Sequence, residues 1–287
     1  MLEVFSSLLL SSLFLSSLLY VVSIGFYYTQ GVSEIINFAH GAIVIIGCYI
    51  SLFSYTTFNN LILSLLIAMS STGVISVIAL PVVLLAIERA PHEFLKRMNP
   101  LLLTLGLAFF IEGAITFFYK PDPVLIPNPL KHVNVHGINV MQLVVIGVAF
   151  SVLLFSYILR KTLTGKMMYA VAENPMGFQL LGFNPKKIFA LTWFINGCLC
   201  GLGGFEYISH TLVTPYTAHV LLFRAFTVFV ITGGSLKSIW APFAGSLLVG
   251  ITQCLTYYFL GGGVVIEFMV FLLLLIFLIV RGIRGGV

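Results

Sequence analysis

The segment Lys166–Lys187, KMMYAVAENPMGFQLLGFNPKK, is the only long stretch of the chain that membrane-spanning hydrophobicity does not explain, and the rest is read outward from it. It contains two Asn-Pro pairs, Asn174-Pro175 and Asn184-Pro185. Each sets a strong N-cap before a proline at the first helical position, so each starts a helix. The first helix can run only about seven residues, or roughly 10 Å, before Gly182 offers a left-handed stop. Met176, Phe178, Leu180 and Leu181 give this short element an apolar surface, while the second pair opens the apolar run from Ile188. A short capped helix with hydrophobic residues between two membrane spans suits insertion into a partner's groove. An ordinary interfacial connector is the alternative.

Composition places the chain in the membrane. Of its 287 residues 60% are hydrophobic and 8% charged, with a mean hydropathy of +1.11, against roughly 25% charged residues in a soluble domain. The expected fold is all-α, a polytopic transmembrane helical bundle. At about 20 residues per crossing, candidate spans fall at 5–29, 33–57, 61–87, 101–119, 140–159, 188–210, 219–233, 238–260 and 264–281. The count is nine, with eight or ten as the bounds. Gly31 to Ile50 and Leu221 to Gly245 carry polar residues, Gly233-Gly234 and Pro242, and are candidates for broken or half-length helices. The first segment, MLEVFSSLLLSSLFL, has Glu3 but no basic residue and reads as a retained span rather than a cleavable signal.

Eleven of the 14 Lys and Arg residues fall on one side of this topology: Arg89, Lys96 and Arg97; Arg160, Lys161, Lys166, Lys186 and Lys187; Lys237; Arg281 and Arg284. Lys120 and Lys131 lie on the other side and Arg224 within a span. The positive-inside rule then puts the N-terminus outside and the C-terminus, with the 166–187 segment, in the cytoplasm. The net charge of +5 follows from topology and requires no nucleic acid as a partner.

Several polar groups sit at membrane depth, where a charge costs at least about 2.5 to 3.5 kcal/mol on insertion scales and so tends to mark a pathway or a partner. Glu34, Asn37 and His40 recur every three residues, which on a helix makes Asn37 a neighbour of both others. Glu112, Glu267 and Arg224 are the other intramembrane charges. A substrate path is the favoured reading, with Asn37, His40, Gly41, Glu112 and Arg224 as its residues. Interface positions for Glu34 and Arg224, and structural carboxyls for Glu112 and Glu267, are the alternatives. Glu206, near the external end of the preceding span, is the expected partner of Arg224. Gly197, Gly201 and Gly204 have the small-residue spacing of close helix contacts.

Catalytic motifs are missing. The sole aspartate, Asp122, cannot form a magnesium–diphosphate cluster, and neither H-E-x-x-H nor a G-x-x-x-x-G-K-[ST] phosphate loop occurs. Cys48, Cys198, Cys200 and Cys254 lie in apolar runs and read as small buried hydrophobes. His132 and His136 share a face in the external loop without a further ligand to complete a metal site. No catalytic or metal residue and no resident cofactor is expected.

Several stretches taken together resemble the permease subunits of branched-chain amino acid ABC importers of the LivH type. They are Ile35-Ile-Asn-Phe-Ala-His-Gly41, Thr104-Leu-Gly-Leu107 followed by Lys120-Pro-Asp-Pro123, and Ala170-Val-Ala-Glu-Asn-Pro175 with Leu180-Leu-Gly182. Arg224-Ala-Phe226, Gly233-Gly-Ser235 and Ala244-Gly245 continue the likeness through the C-terminal third. The resemblance covers nearly the whole chain in order. It implies one permease domain over 1–287 with a type-II-like importer fold in a bacterial-type inner membrane. It also implies a second permease subunit, two cytoplasmic ATPase subunits using ATP-Mg, and an external substrate-binding protein. Glu173, Asn174, Pro175, Phe178, Leu180, Leu181 and Gly182 would form the helix that docks on the ATPase. Ala42 stands where many relatives carry Glu, and Gln179 where an Arg often precedes Leu-Leu-Gly. Branched-chain or other hydrophobic amino acids are the expected substrates, with urea or short amides as the alternative inside the family. Outside it, the rival is an ion-coupled secondary transporter using Glu34, His40, Glu112 and Arg224 as a relay.

Overall fold

The computed structural model describes residues 2–127, 133–135, 138–234, 236 and 238–285. Lys131, His132, His136, Ser235, Lys237 and the Arg284 side chain, all used in the reading above, lie outside them. The described chain is a helical bundle: α1 (Leu2–Ser33), α2 (His40–Phe58), α3 (Leu61–Glu88), α4 (Glu93–Tyr119), α5 (Val140–Lys161), α6 (Leu163–Glu173), α7 (Pro175–Leu180), α8 (Pro185–His210), α9 (Thr217–Ile231), α10 (Trp240–Leu260) and α11 (Val264–Gly285). Between α4 and α5 the two-residue strands β1 (Asn134–Val135) and β2 (Ile138–Asn139) pair antiparallel.

Eight of these helices are long and apolar enough to cross a membrane, and the seventh expected span becomes the 15-residue α9. Both suspected interruptions are present. The chain leaves the helix after Ser33, turns through Glu34 at φ 56°, and re-enters at His40. It leaves α9 after Ile231, passes Gly233 and Gly234 with positive φ, and resumes at Trp240. Local chemistry sets the other boundaries. Asn60 caps α3 by accepting from the Leu63 amide at 3.1 Å, and Asn139 caps α5 by accepting from Met141 at 2.9 Å.

The core is built on α1, α2, α3 and α8. In lipid the apolar effect does not distinguish a neighbouring helix from an acyl chain, so association depends on close packing. The glycine row of α8 provides it: Gly197 and Gly201 face α3, and Gly204 lies so near α2 that a Cβ there would sit 2.5 Å from the Val44 carbonyl oxygen. Trp193, Tyr20 and Phe26 are fully buried in the same region. By contrast α4 and α11 turn rows of Phe and Leu outward, including Phe110, Phe117, Phe118, Leu275 and Ile279.

The two ends of the bundle differ in charge. At one end Lys186 pairs with Glu88 at 2.5 Å, Arg281 donates to the Gly233 carbonyl at 3.0 Å, and Lys96 pairs with Glu93 at 2.6 Å. At the other end the segment after α4 crosses the end of α8, with Val124 bridging Val213 and the Ile126 amide donating to the Ile208 carbonyl at 3.1 Å. The loops grouped as basic by sequence therefore gather on one face of the fold.

Candidate functional site

The 166–187 segment forms two short helices ahead of α8. The Asn174 side-chain oxygen accepts from the Gly177 amide at 2.8 Å, and that of Asn184 from the Lys186 amide at 2.9 Å. Both Asn-Pro pairs thus start helices. The first, α7, is six residues long, and the chain turns at Gly182 with φ 85°. Leu180 and Leu181 are 82% and 76% exposed, and Met176 is also exposed. Phe178 is a correction to the sequence reading: it is 5% exposed, stacks on Phe183 with ring centroids 5.1 Å apart, and packs into the cluster containing Met168 and Val171. A helix this short has two sides, and burying one aromatic is what fixes it to the body. Glu173 and Gln179 are exposed on the same segment. Upstream, α6 is tied inward by the Tyr169 hydroxyl, which donates to the Leu236 carbonyl in the break between α9 and α10. Burial raises the Tyr169 phenol above its ordinary pKa, which keeps it a donor.

The group Asn37, His40 and Gly41 is present but is not arranged as a helical i, i+3 row, because Glu34 to Ala39 is not helical. The Asn37 side-chain oxygen instead accepts from the Ala39 amide at 3.0 Å, and its carbonyl accepts from the His40 amide at 3.2 Å. This local turn starts α2 without a helical predecessor. His40 is fully buried, with Nε2 3.0 Å from the Val22 carbonyl and Nδ1 3.5 Å from the Cys200 sulfur. A carbonyl can only accept, so Nε2 carries a proton. The imidazole thereby joins α1, α2 and α8. Gly41 permits α2 to touch α9, since a Cβ there would lie 2.0 Å from the Ala218 carbonyl oxygen.

The other intramembrane charges form two separate contacts. Glu112 of α4 lies 2.7 Å from His219 of α9, and Arg224 donates to Glu267 of α11. Arg224 is the central residue of α9. Glu206 is not its partner: that carboxyl is 3% exposed and neither oxygen has a hydrogen-bonding partner among the described residues. Next to Arg224 is a cavity of about 70 Å³, also lined by Leu18, Val22, Tyr207, Leu221 and Gln253. The Gln253 amide nitrogen has no hydrogen-bonding partner among the described residues. The five expected path residues make different contacts: His40 with Val22 and Cys200, Gly41 with Ala218, Glu112 with His219, and Arg224 with Glu267. His219 and Gln253 were missed by sequence reasoning, although His219 lies in the same apolar run as Arg224. All four cysteines are free thiols, and the described residues contain no group of three or more His, Cys, Asp or Glu placed to hold a metal.

A family model described as branched-chain amino acid transport system / permease component matches residues 8–280. The chain belongs to that family. A curated relative is the high-affinity branched-chain amino acid transport system permease protein BraD of Pseudomonas aeruginosa, 27% identical over 85% of this chain and 84% of the relative. Another is LivH of Escherichia coli, 26% identical over 84% and 82% respectively. A third is the probable branched-chain amino acid transport permease protein LivH of Methanocaldococcus jannaschii, 24% identical over 89% and 82%. The chain is thus a multi-pass membrane permease component of an ABC transport system, working with ATP-hydrolysing and substrate-binding partners. Membership of this family decides against the ion-coupled secondary transporter.

Proposed function

We propose that the whole chain, 1–287, is one permease domain that moves branched-chain or other hydrophobic amino acids inward across a cytoplasmic membrane. The N-terminus lies outside and the basic face in the cytoplasm. It pairs with a second permease subunit, two ATPase subunits that use ATP-Mg, and an external binding protein, and does not itself hydrolyse ATP. The substrate class rests on the relatives, whose names specify branched-chain amino acids.

The observation that carries this reading is α7. Leu180 and Leu181 project from the basic face of the bundle while Phe178 anchors the same helix from behind. Exposed leucines beyond the apolar belt are costly in water, and burying each in a partner's groove contributes roughly 2 kcal/mol. The helix is therefore a docking element through which ATP-driven motion enters by way of α6. Co-purification of the complex tests it. Leu180→Asp with Leu181→Asp should abolish ATPase association while membrane insertion is retained, and normal assembly of that variant would refute the assignment.

A further inference from the structure

The basic end of the bundle also contains a cavity of about 660 Å³, where α1 ends, α3 ends and α4 begins. Two opposite charges line it without being paired. Glu34, in its left-handed turn, forms no ion pair among the described residues. Lys96 is engaged with Glu93 and its hydrogen bond and charge hold that exposed carboxyl below its ordinary pKa, with a smaller contribution from Arg97, which closes no ion pair among the described residues. Gln30 lines the same cavity, and its buried side-chain oxygen has no hydrogen-bonding partner among the described residues. Ile36, Ile87, Leu101 and Phe229 supply an apolar wall.

These groups select among small ligands by charge. Glu34, one helical turn beyond Gln30 and tied to it by its amide donating to the Gln30 carbonyl at 3.0 Å, offers a carboxylate as acceptor for an ammonium group. Arg97 comes from α4 and presents a planar donor fork suited to a carboxylate. An anion alone would meet Glu34, and a cation alone would meet Lys96 and Arg97. A zwitterion satisfies both, and the apolar wall accommodates an aliphatic side chain. A second cavity of about 270 Å³ shares Gly31, Glu34 and Gly234 with the first and is also lined by Tyr169 and Glu173 of α6. An occupant at Glu34 therefore lies against the helix that carries α7.

We propose that this cavity is a cytoplasmic-side binding site for zwitterionic aliphatic amino acids, through which accumulated product slows further import. The inference rests on the function and orientation proposed above. Binding that favours one arrangement of α1, α4 and α6 must make the other arrangement less populated, and a transport cycle needs both.

The test uses the complete importer in right-side-out vesicles loaded with ATP, with labelled leucine and the binding protein supplied outside. Loading the lumen with unlabelled leucine should slow initial uptake roughly threefold or more once its concentration passes twice the site's dissociation constant. Leucinamide, which lacks the carboxylate, and 4-methylpentanoate, which lacks the amine, should not slow it. Arg97→Gln and Glu34→Gln should each lose the inhibition, measured against that variant's own uptake into unloaded vesicles. Equal uptake into loaded and unloaded wild-type vesicles would overturn the proposal, as would equal inhibition by either singly charged analogue or full inhibition of both variants. The analogue comparison needs only the wild-type protein and decides the matter if the variants fail to assemble. Absence of leucine uptake into unloaded vesicles would instead refute the proposed substrate, and this inference with it.

Discussion

Arg224 at the centre of α9 donates a hydrogen bond to Glu267 in the first turn of α11, joining the two helices. Both side chains are largely withdrawn from the surface, at 16% and 29% exposure. Phe223 and Phe271 pack edge to face between the same helices.

Removing one member of this pair strands the other. We predict that Arg224→Ala or Glu267→Ala destabilises the protein by about 3 kcal/mol, read as a lower Tm in detergent, and that the double variant loses less than the sum. Arg224→Glu should stop transport, and adding Glu267→Arg should restore part of it, whereas adding Glu206→Arg should not. Strictly additive losses, or rescue by Glu206→Arg, would show that the pair does not act as a unit.

The two sides of α7 should respond differently. Phe178→Ala removes a buried ring and should cost about 3 to 5 kcal/mol of stability. Leu180→Ala and Leu181→Ala should leave the Tm of the isolated subunit nearly unchanged and weaken binding to the ATPase. A pull-down combined with thermal melting separates the outcomes.

Gly41 and Gly113 provide an internal comparison of packing. A Cβ at Gly41 would collide with the Ala218 carbonyl, whereas a Cβ at Gly113 meets nothing within 4 Å. Gly41→Ala should therefore destabilise by about 1 to 3 kcal/mol or more, while Gly113→Ala in the C-terminal third of α4 should stabilise by up to about 1 kcal/mol through helix propensity. Similar melting temperatures for the two variants would contradict the observed α2–α9 contact.

Asn37 is fully buried and its amide nitrogen has no partner among the described residues. We predict that Asn37→Leu lowers substrate uptake in vesicles without lowering basal ATP hydrolysis by the assembled complex. Unchanged uptake would assign the residue to the α1–α2 turn alone.

Much of this architecture was legible from residues close together in the chain. Asn174-Pro175 and Asn184-Pro185 each start a helix because cap and proline act on the next turn. Gly182 and the Gly233-Gly234 break adopt positive φ for reasons internal to those residues. The same local rules failed at Glu34–Asn37–His40, where a regular spacing suggested one helical face. The turn made by the Asn37 side chain and the left-handed Glu34 interrupts it, and spacing alone carries no record of such a break.

The sequence by itself determined the solvent and eight of the nine expected spans, because each depends on composition over a window or on neighbouring residues. Tertiary structure alone decided that Arg224 meets Glu267, 43 residues away, and not Glu206. It also decided that Phe178 turns inward while Leu180 faces out, and that Glu34 and Arg97 share one cavity. Those outcomes depend on how helices approach and rotate against one another. That geometry is set by many simultaneous contacts, such as the glycine row of α8 against α2 and α3, and no single stretch of chain encodes it.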